Sequence, residues 1–466
     1  MIRLSLDEIA KIIGGDLYGE GSLSITSSVE TDSRLIKAGG LFFAKPGEVT
    51  DGHLFVDAAF DSGAVCAVVE HRVESGIAQI VVENVVAALG LLAAFVVAEV
   101  KSKGQLVVVG VTGSNGKTTT KNMLRNVLSQ FGNTVAPEES FNNEVGAPYS
   151  MLKVDEQTKY LVVELGADGL GSISYLTRMC RPDIAIELKV GLAHAGEFGG
   201  IETTERIKAE LVEELSSNDF AILNADDPRV INMASLTKAK IKTFAVGSPA
   251  DYRATEIKPT ISGTSFTLTR SDATSEVVNL QILGEHHVYN ALATLAVADV
   301  LGLDSAKSIR ALEDMKLAER WRMELHNRPD GLTIINDAYN ASPDSTKAAL
   351  ITLADLGRQT GRPTVAVIGE MAELGEFSAQ EHDSIGRLIV RLNIDQLVVV
   401  GSGAKLVHMG ASQEGSWDGE SKYFDEISQA LAYLREMLTS NEIVLVKSSK
   451  SAKLRYLGDD LLEVNA

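Results

Sequence analysis

The stretch Val107–Leu124 reads VVVGVTGSNGKTTTKNML and decides the fold class. Its first half is a short, continuous, β-branched run, the pattern of a strand buried on both faces of a parallel sheet. A Gly-rich turn follows, then GKTT, then a helical pattern over Lys117–Phe131. Glycines let the backbone turn sharply and bring N–H groups against phosphate oxygens, and the helix N-terminus adds partial positive charge. Lys117 can reach the β- and γ-phosphates, and the Thr118 hydroxyl can ligate Mg²⁺. The general pattern has Gly five residues before Gly116, where this chain has Val111; Gly110 comes one place early. The core of Gly113, Gly116, Lys117, Thr118 and Thr119 is intact, and Ser114 and Asn115 between them are further nucleotide-binding candidates. This loop predicts nucleotide binding and leaves motor, kinase, GTPase and ligase open.

Strands and helices alternate downstream of it. Tyr160–Glu164, Ile184–Val190 and Phe220–Asn224 read as strands, and Thr203–Leu215 and His286–Leu301 as helices. A β-rich patch covers Ala254–Leu283. A further series reads LTIIND at Leu332–Asp337, TVAVIG at Thr364–Gly369, QLVVVG at Gln396–Gly401 and EIVLVK at Glu442–Lys447. This rhythm predicts open, mostly parallel sheets with helices on both faces. Upstream, Gly40–Phe43 and Val65–Val69 are strand candidates. The apolar run Val85–Ala98 is shorter than the ~20 residues that span a bilayer, so it reads as a buried helix. At about 150 residues per domain, 466 residues predict three domains. They are placed at 1–84, 85–316 and 317–466: a smaller N-terminal α/β domain, a central P-loop-type domain, and a C-terminal Rossmann-like α/β domain.

Charge and cysteines narrow the class. The 43 Lys plus Arg against 63 Asp plus Glu give a net charge of -20, the wrong sign for a protein that grips nucleic acid through phosphates. Two cysteines, Cys66 and Cys180, are too few for a disulfide scaffold or a Cys-rich zinc site. Asp7, Glu8 and Lys11 interrupt the N-terminus where a signal peptide needs an apolar core. These features predict a cytoplasmic protein with no membrane insertion.

Further segments fall in a fixed order along the chain: TDSRLIKAGGLFFAKPGEVTDGH (Thr31–His53), SFNNEVGAPYSML (Ser140–Leu152), VVELGAD (Val162–Asp168), GLAHAGEFGGIETTERIKAE (Gly191–Glu210), LNADD (Leu223–Asp227), HHVYNALATLAVA (His286–Ala298), ERWRMEL (Glu319–Leu325) and INDAYNASPDS (Ile335–Ser345). Together with TGSNGKTT they resemble the Mur ligases and folylpolyglutamate synthases, three-domain ATP-dependent enzymes that form amide bonds. FNNEVG and DAYNASP most resemble the branch that adds D-alanyl-D-alanine to UDP-N-acetylmuramoyl-tripeptide. The DNPR string usual in the sister ligase for the third residue is missing from this sequence.

The resemblance implies roles residue by residue. Glu164, at a strand end, completes the shell of the Mg²⁺ between the β- and γ-phosphates. His194 and Lys208 hold a second Mg²⁺, Lys208 as a carbamate. Asn290 contacts adenine, and Arg322 bridges the central and C-terminal domains onto the γ-phosphate. Asp337 accepts from a ribose hydroxyl, while Tyr339 and Asn340 close over the nucleotide. Ser33 and Arg34 hold the uridine diphosphate end, and Asn142 and Asn143 the nucleotide-sugar peptide. The chain departs from the family at Lys189 (often Asn), at Trp321 (usually Gly), and at Ser448 and Lys450 (often Gly and Arg).

The implied activity is an acyl-phosphate ligation in peptidoglycan precursor synthesis. Its cofactors are ATP and Mg²⁺, its substrates UDP-N-acetylmuramoyl-tripeptide and D-alanyl-D-alanine, and its state a monomer. The alternatives are the sister ligase, a folylpolyglutamate synthase-like ligase, and a non-enzymatic ATP-dependent switch. Thr31–His53 argues against the folate reading, and the set of Glu164, His194 and Lys208 argues for chemistry over switching.

Overall fold

The computed structural model describes residues 1–47, 50–137, 139–192, 198–260, 262–316, 319–415 and 420–463. Three large sheets follow one another along the chain. The first has five strands in the order Asp16–Tyr18, Ala78–Val81, Ala64–Val69, Gly40–Phe43, Val29–Glu30, parallel except at Asp16–Tyr18. The central sheet has nine. Its parallel part orders Tyr252–Thr260, Lys240–Ala245, Phe220–Asn224, Ile184–Glu187, Val107–Thr112, Tyr160–Glu164 and Thr134–Val135. The β-rich patch completes it as two antiparallel strands, Gly263–Arg270 and Ser275–Leu280. The third sheet orders Glu324–Asn327, Thr333–Asp337, Ile443–Lys447, Thr364–Ile368, Gln396–Val400 and Ser421–Phe424, parallel but for its first strand.

The strand Val107–Thr112 sits inside the central sheet, flanked by Tyr160–Glu164 and Ile184–Glu187. Val108, Val109 and Val111 are fully buried, as a strand covered on both faces requires. All three carboxyl ends therefore converge on the turn Gly113–Gly116, the edge at which open α/β sheets present ligands. The strand expected over Ile184–Val190 stops at Glu187. Beyond it the chain turns toward the phosphate loop, and the Lys189 carbonyl accepts the Ser114 N–H at 2.7 Å.

The apolar run becomes the helix Val85–Ser102, started by Asn84, whose side chain accepts from the Ala87 N–H. By length and composition it could cross a bilayer, yet half of it is buried within the protein. Its inward side chains, including Leu89, Leu92, Ala93 and Val96, share one core with Ile9 of the first helix and Ile173 of the central layer.

Candidate functional site

The phosphate loop needs backbone that only glycine adopts cheaply. Gly113 has φ +146° and Gly116 φ +87°. A Cβ at Gly116 would come within 2.6 Å of Asn290 Oδ1. Lys117 opens the helix Lys117–Leu128, and its Nζ folds back to donate to the Gly113 carbonyl at 2.7 Å. Burial pulls its ammonium below the usual lysine range, partly offset by Glu164. Ser114 and Thr119 are buried in the same turn.

Thr118 is the meeting point. Its Oγ1 lies 3.1 Å from Ser140 Oγ and donates to Glu164 Oε1 at 3.3 Å, while Arg322 Nη2 approaches it at 3.4 Å from the C-terminal side. Glu164 ends its strand almost fully buried, and Oε1 also accepts from Asn142 Nδ2 at 2.9 Å. Its Oε2 has no hydrogen-bond partner among the described residues. A buried carboxylate oxygen left unpaired is costly and marks a place for a cation or donor. Arg322 is aimed by Glu319, whose Oε2 accepts from Nε at 2.8 Å, and by the Tyr339 ring 4.4 Å beneath its guanidinium.

Lys208 comes from the helix Ile201–Glu213 and is buried, with Nζ donating to Thr112 Oγ1 at 3.3 Å. Burial, with Lys117 nearby, brings it down to about 7. His194 lies outside the described residues.

A cleft of about 620 Å³ opens beside the loop between the central and C-terminal layers. Asn115, Gly116 and Asn290 line its floor, with His286 and Tyr289 alongside; Ser345 and Ala348 face them from the C-terminal layer. Asn290 is buried, its amide nitrogen 3.3 Å from His287 Nδ1. His286 Nδ1, His287 Nε2 and Asn115 Nδ2 are buried without hydrogen-bond partners among the described residues. Burial holds His286 at about 4 and His287 well below its ordinary value, which favours the neutral form of both rings.

The other expected residues are distributed around this centre. Asp337 is taken up by the protein: Oδ1 accepts from the Met323 N–H at 3.0 Å and Oδ2 pairs with buried Lys447 Nζ at 2.7 Å. The Lys447 ammonium also donates to the Asn340 carbonyl at 2.8 Å. Asn143 Oδ1 accepts from the Gly146 N–H at 2.9 Å, which opens the helix Gly146–Met151. Ser33 is buried in the N-terminal layer, and exposed Arg34 pairs with Asp32 at 2.6 Å.

Comparison with known proteins adds the family. Residues 111–298 match the Mur ligase middle domain, 321–450 the Mur ligase, glutamate ligase domain, and 26–96 the Mur ligase family, catalytic domain. The chain is 39% identical over 504 residues to a UDP-N-acetylmuramoyl-tripeptide–D-alanyl-D-alanine ligase of Mycobacterium tuberculosis (strain H37Rv), covering 99% of this chain and 98% of that protein. The chain belongs to the Mur ligase family. Its fold matches MurF from Acinetobacter baumannii with a TM-score of 0.90 at 31% identity, covering 99% of each chain. It matches MurF from Thermotoga maritima in complex with ADP with a TM-score of 0.81 at 26% identity, covering 94% of this chain and 97% of that one.

Two features of this Mur ligase escape sequence reasoning. Glu187 ends the strand beside the phosphate loop, fully buried, with neither oxygen hydrogen-bonded among the described residues. Burial raises it well above the carboxylate range, against the pull of Lys208. Its signal was a lone acid in the apolar run IAIEL. Lys447 is the other, a cation at the end of the apolar strand Ile443–Lys447.

Proposed function

We propose that this Mur ligase uses ATP to join D-alanyl-D-alanine to the terminal carboxylate of UDP-N-acetylmuramoyl-tripeptide, a cytoplasmic step of peptidoglycan precursor synthesis. The observation that carries the reading is the convergence of Glu164 and Arg322 on Thr118, with Lys117 next to it at the head of the phosphate-loop helix, in a chain matched over nearly its whole length by ligases of that name.

A carboxylate does not condense with an amine in water, because hydroxide is a poor leaving group. In the proposed reaction the tripeptide carboxylate attacks the γ-phosphorus of ATP, ADP leaves, and an acyl phosphate forms. The dipeptide amine then attacks the acyl carbon, loses its proton, and phosphate leaves. Lys117 swings from the Gly113 carbonyl onto the phosphates, and Arg322 neutralises the transferring group from the opposite side. In the favoured neutral form, the rings of His286 and His287 add no charge to the buried cleft. Closure of the C-terminal layer keeps water from the acyl phosphate.

The residues present fit a divalent cation: Thr118 Oγ1 and the unpaired Glu164 Oε2 are hard oxygen donors in one buried corner. A bound Mg²⁺ there would supply charge neutralisation to the transferring phosphoryl group. Lys208 at about 7 has a substantial neutral-amine fraction, as carbamylation by CO₂ requires; as a carbamate, with His194, it would serve a second Mg²⁺. Asn290 serves the adenine and Asp337 the ribose end, with Tyr339 and Asn340 over the nucleotide. Ser33 and Arg34 take the uridine diphosphate, and Asn142 and Asn143 the peptide. The working boundaries remain 1–84, 85–316 and 317–466, in a monomer.

Phosphate release measured over a panel of acids and amines tests this. Release is expected only with UDP-N-acetylmuramoyl-tripeptide plus D-alanyl-D-alanine. Release with a folate acceptor, or with a single amino acid as the amine, overturns it.

A further inference from the structure

Lys189 carries a cation into the wall of the cleft, and none of the chemistry above uses it. Its backbone is fixed to the phosphate loop through the Ser114 N–H. Two residues on, the Gly191 N–H donates to Ser114 Oγ at 2.8 Å. The side chain leaves this frame. Its Nζ lies 3.0 Å from Oδ1 of Asp344, 155 residues along the chain. Asp344 sits in the first turn of the helix Pro343–Thr360, which roofs the cleft. Its other oxygen packs on Gly191, where an added Cβ would come within 2.5 Å. The same helix end is tied down once more: Ser342 Oγ donates to Asn115 Oδ1 at 3.0 Å.

Asp344 is therefore a carboxylate at the wall of a cleft built for a polyanion. Unpaired, it would repel phosphates and lift the roof. Lys189 cancels that charge, and it does so from a backbone segment that is part of the loop frame. An isolated half-exposed ion pair contributes little. This one works beside a second cross-layer hydrogen bond, Ser342 Oγ to Asn115 Oδ1, at the same helix end, so the contacts reinforce each other.

We infer that Lys189 and Asp344 are a positioning pair, an ionic pin that sets the height of the roof over the phosphate loop, and with it the approach of Arg322 to Thr118, before any nucleotide binds. The pin does not depend on which acid and amine react, so its test is read without turnover.

The test uses the full chain carrying one dye on Leu236→Cys in the central layer and one on Met409→Cys in the C-terminal layer. Both positions are exposed, and native Cys66 and Cys180 are buried. Single-molecule energy transfer is recorded without nucleotide. Lys189→Gln and Asp344→Asn are each expected to raise the open-to-closed ratio by up to roughly fivefold, the ceiling for such a pair. Added salt should open the parent protein and leave the two variants unchanged. Lys189→Arg should stay closed, and the reversed pair Lys189→Asp/Asp344→Lys should close again. Single variants as closed as the parent overturn the inference, as does a folded reversed pair as open as the singles. If the reversed pair does not fold, Lys189→Arg as open as Lys189→Gln overturns it.

Discussion

Arg322 Nη2 stands 3.4 Å from Thr118 Oγ1, across 204 residues of chain. A guanidinium from the linker before the third sheet thus reaches the hydroxyl at the head of the phosphate-loop helix. Glu319 and the Tyr339 ring hold it there. In the proposed reaction its charge serves the transferring phosphoryl group, so Arg322→Ala should lower kcat by about 10²-fold, in the range for losing one preorganised donor to developing charge. KM for ATP should change far less. Steady-state kinetics on the folded variant checks the split.

Glu164 carries the metal prediction. Its Oε2 is buried without a hydrogen-bond partner among the described residues, while Oε1 is already engaged by Thr118 and Asn142. Glu164→Gln keeps the shape and removes the charge. Activity should fall by about 10²-fold or more, and the Mg²⁺ concentration for half-maximal rate should rise. Chelation by EDTA should abolish turnover of the parent protein. A magnesium titration of both proteins decides it.

Lys208 gives a pH dependence with a definite sign. Its folded value of about 7 lies below the ordinary lysine value of 10.5. Between them the unfolded chain binds the extra proton, so stability rises with pH across about 7 to 10.5. Below 7 the full cost of the buried ammonium is present. The stability of the parent protein relative to Lys208→Met should therefore climb from pH 7 to pH 10. Denaturant midpoints at several pH values measure this.

Lys447 and Asp337 form a buried pair at the carboxyl end of the third sheet, at 2.7 Å. Removing one partner strands the other charge, which costs about 3–5 kcal/mol. Lys447→Met should lower the denaturation midpoint accordingly, and Lys447→Met/Asp337→Asn should recover part of the loss. Equilibrium unfolding of the three proteins checks both statements.

The legible parts of this molecule are the local ones. Val107–Thr112, the glycines after it and the helix from Lys117 are coded by adjacent residues; the strand and the helix start fall where the pattern puts them, while the helix expected to run to Phe131 ends at Leu128. Glu164 was legible because a single acid closes an apolar strand. The linker before the third sheet is half legible. Trp321 stands where a glycine is expected, and it takes φ +59°, a conformation that costs a large side chain about 1–3 kcal/mol. Its indole N–H donates to Asp459 at 3.1 Å, and its ring packs against Tyr456. Those partners are over 130 residues away, and no local pattern announces them. Lys189–Asp344 and Lys447–Asp337 are hidden for the same reason. Glu187 is harder still, because the cations that make its burial tolerable come from two separate helices.

The central claim is that the tripeptide carboxylate is activated by transfer of the γ-phosphoryl group of ATP. The direct measurement labels both oxygens of that carboxylate with ¹⁸O and analyses released phosphate by mass spectrometry. The account predicts one ¹⁸O in each phosphate for every D-alanyl-D-alanine joined. Unlabelled phosphate alongside normal product formation would contradict it.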